Sequence, residues 1–188
     1  PPDWCYVADF SNPDRPNALE LPPGRGLELR SDMRRLVEDL LTSLPAAFHS
    51  DEYRRRAQEI QDEFKQREDE AAAEMGKHAA ERGVALLHTP TGYSLAPLQD
   101  GKVLNATEFE ALDDTERNRL QAAMEEIKDE LRAVLGHVPL WQRESRQRFR
   151  ELDADITQLA VSQLMADLER RYADLPEVQA YLRAVTAD

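Results

Sequence analysis

The stretch Gly83-Val84-Ala85-Leu86-Leu87-His88-Thr89-Pro90-Thr91-Gly92-Tyr93-Ser94-Leu95-Ala96-Pro97-Leu98 decides how this chain folds. It is almost uncharged and lies between two long, heavily charged runs. Val84, Leu86 and His88 alternate before Thr89-Pro90-Thr91-Gly92, and Tyr93 and Leu95 alternate after it. A two-residue period is the mark of a strand. Pro presets φ inside the turn, and Gly supplies an unusual φ at little cost. The spacing predicts a β-hairpin that reverses the chain. The alternative is a plain connector between helices, which has no need of the alternation.

Before the hairpin, Leu29, Met33, Leu36, Val37, Leu40, Leu41 and Leu44 recur at three- and four-residue steps. They predict a core helix from about Leu27 to Leu44, ended or bent by Pro45. A second helix is expected over Asp51–Arg82, with Ser50 as N-cap and Gly83 after its end. Its apolar stripe is thin (Tyr53, Ala57, Ile60, Phe64, Ala71, Met75, Ala79), and at 1.5 Å per residue it makes a rod of roughly 48 Å. A helix so polar needs a partner helix and many i,i+4 pairs.

After the hairpin, Asp100-Gly101 reads as a turn. Thr107-Glu108-Phe109-Glu110 has capping-box spacing and predicts a short helix, and Asp113-Asp114-Thr115-Glu116 has it in looser form. A helix over Asp114–Leu135 carries Leu120, Met124, Ile127, Leu131 and Leu135 on one face. Gly136-His137-Val138-Pro139 interrupts it, and a further helix runs over Leu140–Tyr172 with Phe149, Leu152, Ile156, Leu159, Gln163 and Ala166 on a seven-residue pattern. From Ile156 to Leu168 extra apolar residues widen that face. Leu175-Pro176 opens a last helix.

Folded at the hairpin, the two helical rods lie antiparallel and bring their wide apolar faces together at one end. The fold class expected is therefore mostly α: a long antiparallel helical hairpin, a coiled-coil stalk, on a helical base with a small β-hairpin at the tip. The expected divisions are a non-helical segment 1–26 and a helical domain 27–188, with base 27–50 and 140–188, stalk 51–82 and 107–139, and tip 83–106. If Gly136–Pro139 were a full reversal instead of a kink, the last three long helices would form a bundle.

Composition narrows the function. The 188 residues carry a net charge of −13, which disfavours nucleic acid and anionic membranes as partners. No apolar run approaches the roughly 20 residues that span a bilayer, and no signal peptide is read. The single cysteine, Cys5, excludes an internal disulfide and fits a reducing compartment, so a cytoplasmic location is expected. Six of the eleven prolines fall in residues 1–26, where Trp4–Val7 reads as a strand and Leu19–Leu21 as a second. The abrupt start at Pro1-Pro2-Asp3-Trp4 is read as that of a piece of a longer protein.

Three motifs point to a family. Asp3-Trp4-Cys5-Tyr6-Val7 with Phe10, Pro13, Pro16 and Leu21-Pro22-Pro23-Gly24-Arg25-Gly26 comes first, then Leu86–Leu98 with Asp100-Gly101, then Tyr172-Ala173-Asp174-Leu175-Pro176-Glu177-Val178. In this order they resemble the Lon-related AAA+ ATP-dependent serine proteases. Asp9 departs from the family's usual Asn. The resemblance implies a helical insertion within the ATPase module of a ring-forming parent that uses ATP and Mg and cleaves unfolded or misfolded proteins. Trp4–Val7 would then be an edge strand of an ATPase sheet whose other strands are missing here. No G-x-x-x-x-G-K-S/T loop occurs in this chain, so no cofactor, metal or catalytic residue is assigned to it.

The remaining chemistry is sparse. The four histidines are scattered, and His78 with Glu74 reads as a solvated pair. Cys5 reads as a core thiol. Arg54-Arg55-Arg56 reads as a charged helix face with intrahelical pairs. Arg143, Arg146, Arg148 and Arg150, beside Trp141 and Phe149, read either the same way or as a phosphate-binding stripe. The favoured function is a non-catalytic module that receives or gates unfolded protein substrates at the tip, through Leu87, His88, Thr91, Tyr93 and Leu95. A nucleic-acid-binding arm and a coiled-coil assembly spacer are the alternatives.

Overall fold

In the computed structural model, which describes residues 1–187, strands β1 (Asp3–Val7) and β2 (Asn17–Leu21) precede helices α1 (Arg25–Phe48) and α2 (Asp51–Glu81). Strands β3 (Val84–Thr89), β4 (Gly92–Gln99) and β5 (Lys102–Val103) follow. The short α3 (Ala106–Glu110) then leads to α4 (Asp114–Leu135), α5 (Val138–Arg171) and α6 (Pro176–Ala187). The chain is mostly helical, 68%, with small antiparallel β-hairpins. It divides into two compact units, one of residues 1–57 with 149–188 and one of residues 58–148.

The first unit is built around Leu19, Leu21, Leu29, Leu36, Met165, Leu168, Tyr172, Val178 and Leu182. The wide faces of α1 and α5 therefore share one core with α6. The segment 1–26 is part of that core, since β2 contributes Leu19 and Leu21. The strand Trp4–Val7, expected to lack a partner within the chain, has one: β1 pairs antiparallel with β2, Asp3 opposite Leu21 and Val7 opposite Asn17. A proline-rich connection separated the two strands in sequence and concealed the pairing.

Asp3 fastens this hairpin to α1. One carboxylate oxygen accepts the N–H groups of Gly24 and Gly26, each at 2.9 Å. These donors stand at the helix start, where no intrahelical acceptor exists. Gly24 has φ 88°, which favours glycine. At Gly26 an added Cβ would stand 2.9 Å from Cys5 Sγ, so glycine permits the close approach of strand and helix.

Three expected helix details change. The helix α1 continues through Pro45 to Phe48, because a proline so near the end forfeits only one hydrogen bond of the last turn. On α5 the seven-residue pattern fails beyond Ile156: Leu159 is 55% exposed, while Met165 and Leu168 are buried. Met165 lies nine residues after Ile156, about half a turn round the helix. The buried side thus swings round as α5 reaches α1 and α6. Val37 and Leu41 likewise leave the expected α1 stripe and face solvent.

One buried charge sits in this unit. The Asp32 carboxylate accepts the Tyr172 hydroxyl at 2.7 Å and the Arg171 guanidinium. Burial pushes the carboxyl upward, but these two bonds and the charges of Arg171 and Arg35 outweigh it and hold Asp32 below the usual carboxylate range. Burial and the bond to Asp32 push the Tyr172 hydroxyl well above the ordinary phenol range. Arg25 lies over the Tyr172 ring, 5.0 Å from its centre.

The second unit is held by Met75 and Ala79 of α2, Val84 of β3, and Ala123, Ile127 and Leu131 of α4. Polar pairs tie α2 to α4 and then to α5. Arg82 meets Glu126, His78 Nε2 meets Glu130 at 2.9 Å, Arg67 meets Glu144 at 2.6 Å and Arg148 meets Glu63 at 3.3 Å. Residue numbers fall along α2 as they rise through α4 and the start of α5. In this unit both helices therefore run antiparallel to α2, and Gly136-His137 bends the path without reversing it. Gly136 keeps helical dihedrals, φ −63° and ψ −20°. Ser50 caps α2 through Tyr53 N at 3.1 Å, and Asp113 caps α4 through Glu116 N at 2.7 Å. The capping box expected at Thr107 and Glu110 is formed two residues earlier, by Asn105 and Glu108.

Candidate functional site

The β3–β4 hairpin grows directly out of α2. Gly83, at φ 77°, turns the chain from helix to strand, and its carbonyl accepts Leu98 N at 2.8 Å, which lengthens the ladder by one rung. Pro90 and Thr91 form a two-residue loop, because Thr89 pairs with Gly92. Gly92 takes φ 127°, and its carbonyl accepts the Thr89 hydroxyl at 2.8 Å. At the other end Asp100 and Gly101 both have positive φ, 50° and 75°, the geometry of a tight hairpin turn into β5. Lys102 Nζ reaches Glu108 at 2.7 Å; this contact and the Asn105 N–H hold the Glu108 carboxyl below its usual range.

Register sorts the expected tip residues onto different surfaces. Leu86 pairs with Leu95 and His88 with Tyr93, while Leu87 pairs with Ser94. Side chains alternate across a strand, so His88, Tyr93 and Leu95 share one face and Leu87 lies on the other. Leu86 and Leu95 pack on the core of the second unit. His88 and Tyr93 carry the same face beyond it as an exposed stacked pair, ring centres 5.1 Å apart. Thr91 is exposed in the loop, and Leu87 is exposed on the outer face. The hairpin thus presents His88 with Tyr93 on one side and Leu87 on the other, and Leu95 is an anchor.

The arginine stripe is likewise divided. Arg148 is engaged with Glu63, beside the Arg67–Glu144 contact. Arg143 and Arg146 are exposed, and Arg146 edges a shallow cleft of about 370 Å³ with Phe64 and Trp141. Arg150 is exposed further along α5. In the earlier basic run, Arg54 pairs with Asp51 and Arg55 with Glu52 within the helix, while Arg56 reaches Asp155 on α5 at 2.8 Å. His78 pairs across to Glu130 instead of with Glu74. Among the described residues no group of three His, Cys, Asp or Glu could hold a metal ion, and no helix is long and apolar enough to cross a membrane.

Residues 3–36 match the family model of the Lon-like LonC helical domain. The match supports a Lon-like protease helical domain and covers the β1–β2 hairpin with the first half of α1. No curated protein matches the chain.

A cleft of about 690 Å³ lies in the first unit along β1. Residues Pro2 to Ala8 line one side, with Leu27, Arg30 and Met33 of α1 and Tyr181 of α6 completing it. Trp4 and Tyr6 stand exposed on the outer face of β1, while Cys5 and Val7 turn inward onto the core. The sequence places Cys5 as a core thiol on the Trp4–Val7 strand but gives Trp4 and Tyr6 no expected role at the surface. The signal was the two-residue alternation in Asp3-Trp4-Cys5-Tyr6-Val7, which places the aromatics outside.

Proposed function

We propose that the chain is a non-catalytic helical module of a Lon-like ATP-dependent protease, and that its β3–β4 hairpin receives or gates unfolded protein substrates. The observation that carries this reading is a hairpin whose inner face is anchored by Leu86 and Leu95 while Leu87, His88 and Tyr93 remain exposed at its outer end. An exposed apolar patch rimmed by charge is a common mark of a protein-binding surface. A strand edge also accepts many sequences, since main-chain groups supply the hydrogen bonds. The match over residues 3–36 supplies the protease context.

The reading includes an antiparallel helical hairpin in the second unit, with α2 as one arm and α4 with the start of α5 as the other. Supporting it are the Arg82–Glu126, His78–Glu130, Arg67–Glu144 and Arg148–Glu63 pairs of that unit. ATP, Mg, a serine nucleophile, a ring of neighbouring subunits and a cytoplasmic setting are proposed for the parent protease.

The test is crosslinking of the chain to an unfolded casein, with Leu87→Ser and Tyr93→Ser combined. Leu95 is left intact because it packs on the core. Lost crosslinking with an unchanged melting curve supports recognition at the hairpin. Unchanged crosslinking removes the hairpin from the mechanism.

A further inference from the structure

The helix α1 carries a second exposed face that the proposed function does not use. Leu27, Arg30, Arg34, Val37 and Leu41 are all exposed and fall within about 80° of one another at 3.6 residues per turn. Leu27 and Leu41 are each 72% exposed and Val37 53%. At the Leu27 end the stripe runs into the cleft beside β1, where Trp4 and Tyr6 are 59% and 76% exposed. Five large apolar side chains thus lie along one side of the first unit, and scattered exposure does not produce such a line.

The charge on this stripe is opposite to that of the chain. The molecule carries −13, yet the only charged side chains within the stripe are two arginines. Arg30 has no acidic residue three or four positions away on its helix. Arg34 has Glu38 four positions on, yet among the described residues neither arginine forms an ion pair. Glu38 follows Arg34 by one turn and Glu20 stands opposite Trp4 on the hairpin, while Asp3, which lines the same cleft as Arg30, is engaged by the Gly24 and Gly26 N–H groups. Elsewhere most exposed arginines of the long helices sit against an acid within hydrogen-bonding reach, as Arg54, Arg55, Arg119 and Arg170 do.

We propose that this stripe docks an acidic amphipathic helix of another protein chain, with leucine-like residues laid on Leu27, Val37, Leu41 and Trp4 and carboxylates facing Arg30 and Arg34. Helix-in-groove recognition reads anchors at three- and four-residue spacing, which the stripe presents. Arg30 and Arg34 are one turn apart and match two acids at the same interval. A second copy of this chain fits less well: the two-fold pairing that sets Leu27 against Leu41 brings Arg30 towards Glu38 but sets Arg34 against its own copy at the buried centre. Like charges juxtaposed in an interface select against that partner.

The test uses the whole chain and a fluorescent 18-residue helical peptide with leucines at three- and four-residue spacing and glutamates flanking them, beside the same peptide with lysines for glutamates. The glutamate peptide is expected to bind and the lysine peptide not. Arg30→Glu with Arg34→Glu should weaken the first at least tenfold and confer binding of the second. Both sites are exposed, and an unchanged circular-dichroism melt verifies the fold. Leu41→Ser should also weaken the glutamate peptide. Equal binding of both peptides, no binding of either, or a charge reversal that leaves the preference unchanged overturns the proposal. So does dimerisation of the chain that Leu41→Ser abolishes, or capture by phosphatidylserine vesicles that the charge reversal abolishes.

Discussion

The two hairpins differ in what surrounds them. The β3–β4 pair is closed by a two-residue loop and springs from the end of a helix, so its partner is the next stretch of chain. The β1–β2 pair spans a long, proline-rich connection, and its strands owe their pairing to the helix beneath: Leu19 and Leu21 enter the core of the first unit, and Asp3 caps α1. One hairpin is specified locally, the other by tertiary packing. Local turns show in a sequence, whereas pairing across a long connection depends on contacts that no short window contains.

The largest test of that difference is in the core. Leu21→Ala, at a side chain 2% exposed, is expected to cost about 2–5 kcal/mol by urea denaturation. Leu159→Ala should change stability by less than about 0.5 kcal/mol, because that side chain already faces water. If the two losses were equal, the turn of the buried face along α5 would be wrong. Ile127→Ala, fully buried in the second unit, should match Leu21→Ala in size.

Next in size is the buried carboxylate. Asp32→Ala leaves the Tyr172 hydroxyl without its acceptor and is expected to cost about 1–3 kcal/mol. The sign with pH follows from the depressed carboxyl. Its stabilising contribution is complete above the unfolded value of about 3.9 and is lost as pH falls through the lower folded value. The wild-type chain should therefore lose stability more steeply below about pH 4 than Asp32→Asn does. Parallel acid profiles for the two would show that Asp32 is not held in its charged form by the fold.

Much of the helical order was legible, and the reasons lie in particular residues. Ser50 and Asp113 begin helices because their side chains accept N–H groups in the first turn, and that chemistry shows in three or four letters. The Val84–Leu95 alternation shows for the same reason. The α1 boundary was missed because Pro45 signals a break only where the helix has further to run. Leu159 was misplaced because a seven-residue pattern assumes one partner along the whole helix, whereas α5 exchanges partners along its length. At the candidate site, the residue types at the tip were legible and their faces were not. Register separates Leu87 from Tyr93, and register is set by the loop that joins the strands.

Glycines sharpen the contrast between the hairpins at about the next level. Gly26→Ala forces a Cβ against Cys5 and Asp3 and is expected to cost about 1–3 kcal/mol through the β1–α1 packing. Gly24→Ala meets no atom within 4 Å and pays only for its left-handed φ, about 1–2 kcal/mol. Gly83→Ala pays that same backbone term and also crowds Leu120 at 3.0 Å, so it should exceed Gly24→Ala in thermal melts. The reverse ranking would mean that helix α4 yields there without cost.

The smallest effect expected is the cross-helix ion pair Arg148–Glu63, and it bears on how the two units differ. In the first unit one carboxylate is buried and held by a buried phenol, whereas in the second the charged groups that join α2 to α5 are all partly open to water. Exposed pairs gain little Coulomb energy, lose side-chain freedom and are screened by salt. A double-mutant cycle on Arg148→Ala and Glu63→Ala should therefore give a coupling of about 0.2–1 kcal/mol at low salt, shrinking at higher salt. Arg67 complicates the reading, since it contacts both Glu63, at 3.7 Å, and Glu144 and can take over a partner that Arg148 leaves. Repeating the cycle with Arg67→Met removes that compensation and should raise the measured coupling. A coupling above about 2 kcal/mol in either background, outside the range of exposed pairs, would mean that α2 and α5 in the second unit are held by charge as strongly as Asp32 holds the first. A value near zero would assign their association to Phe64 and the other apolar contacts alone.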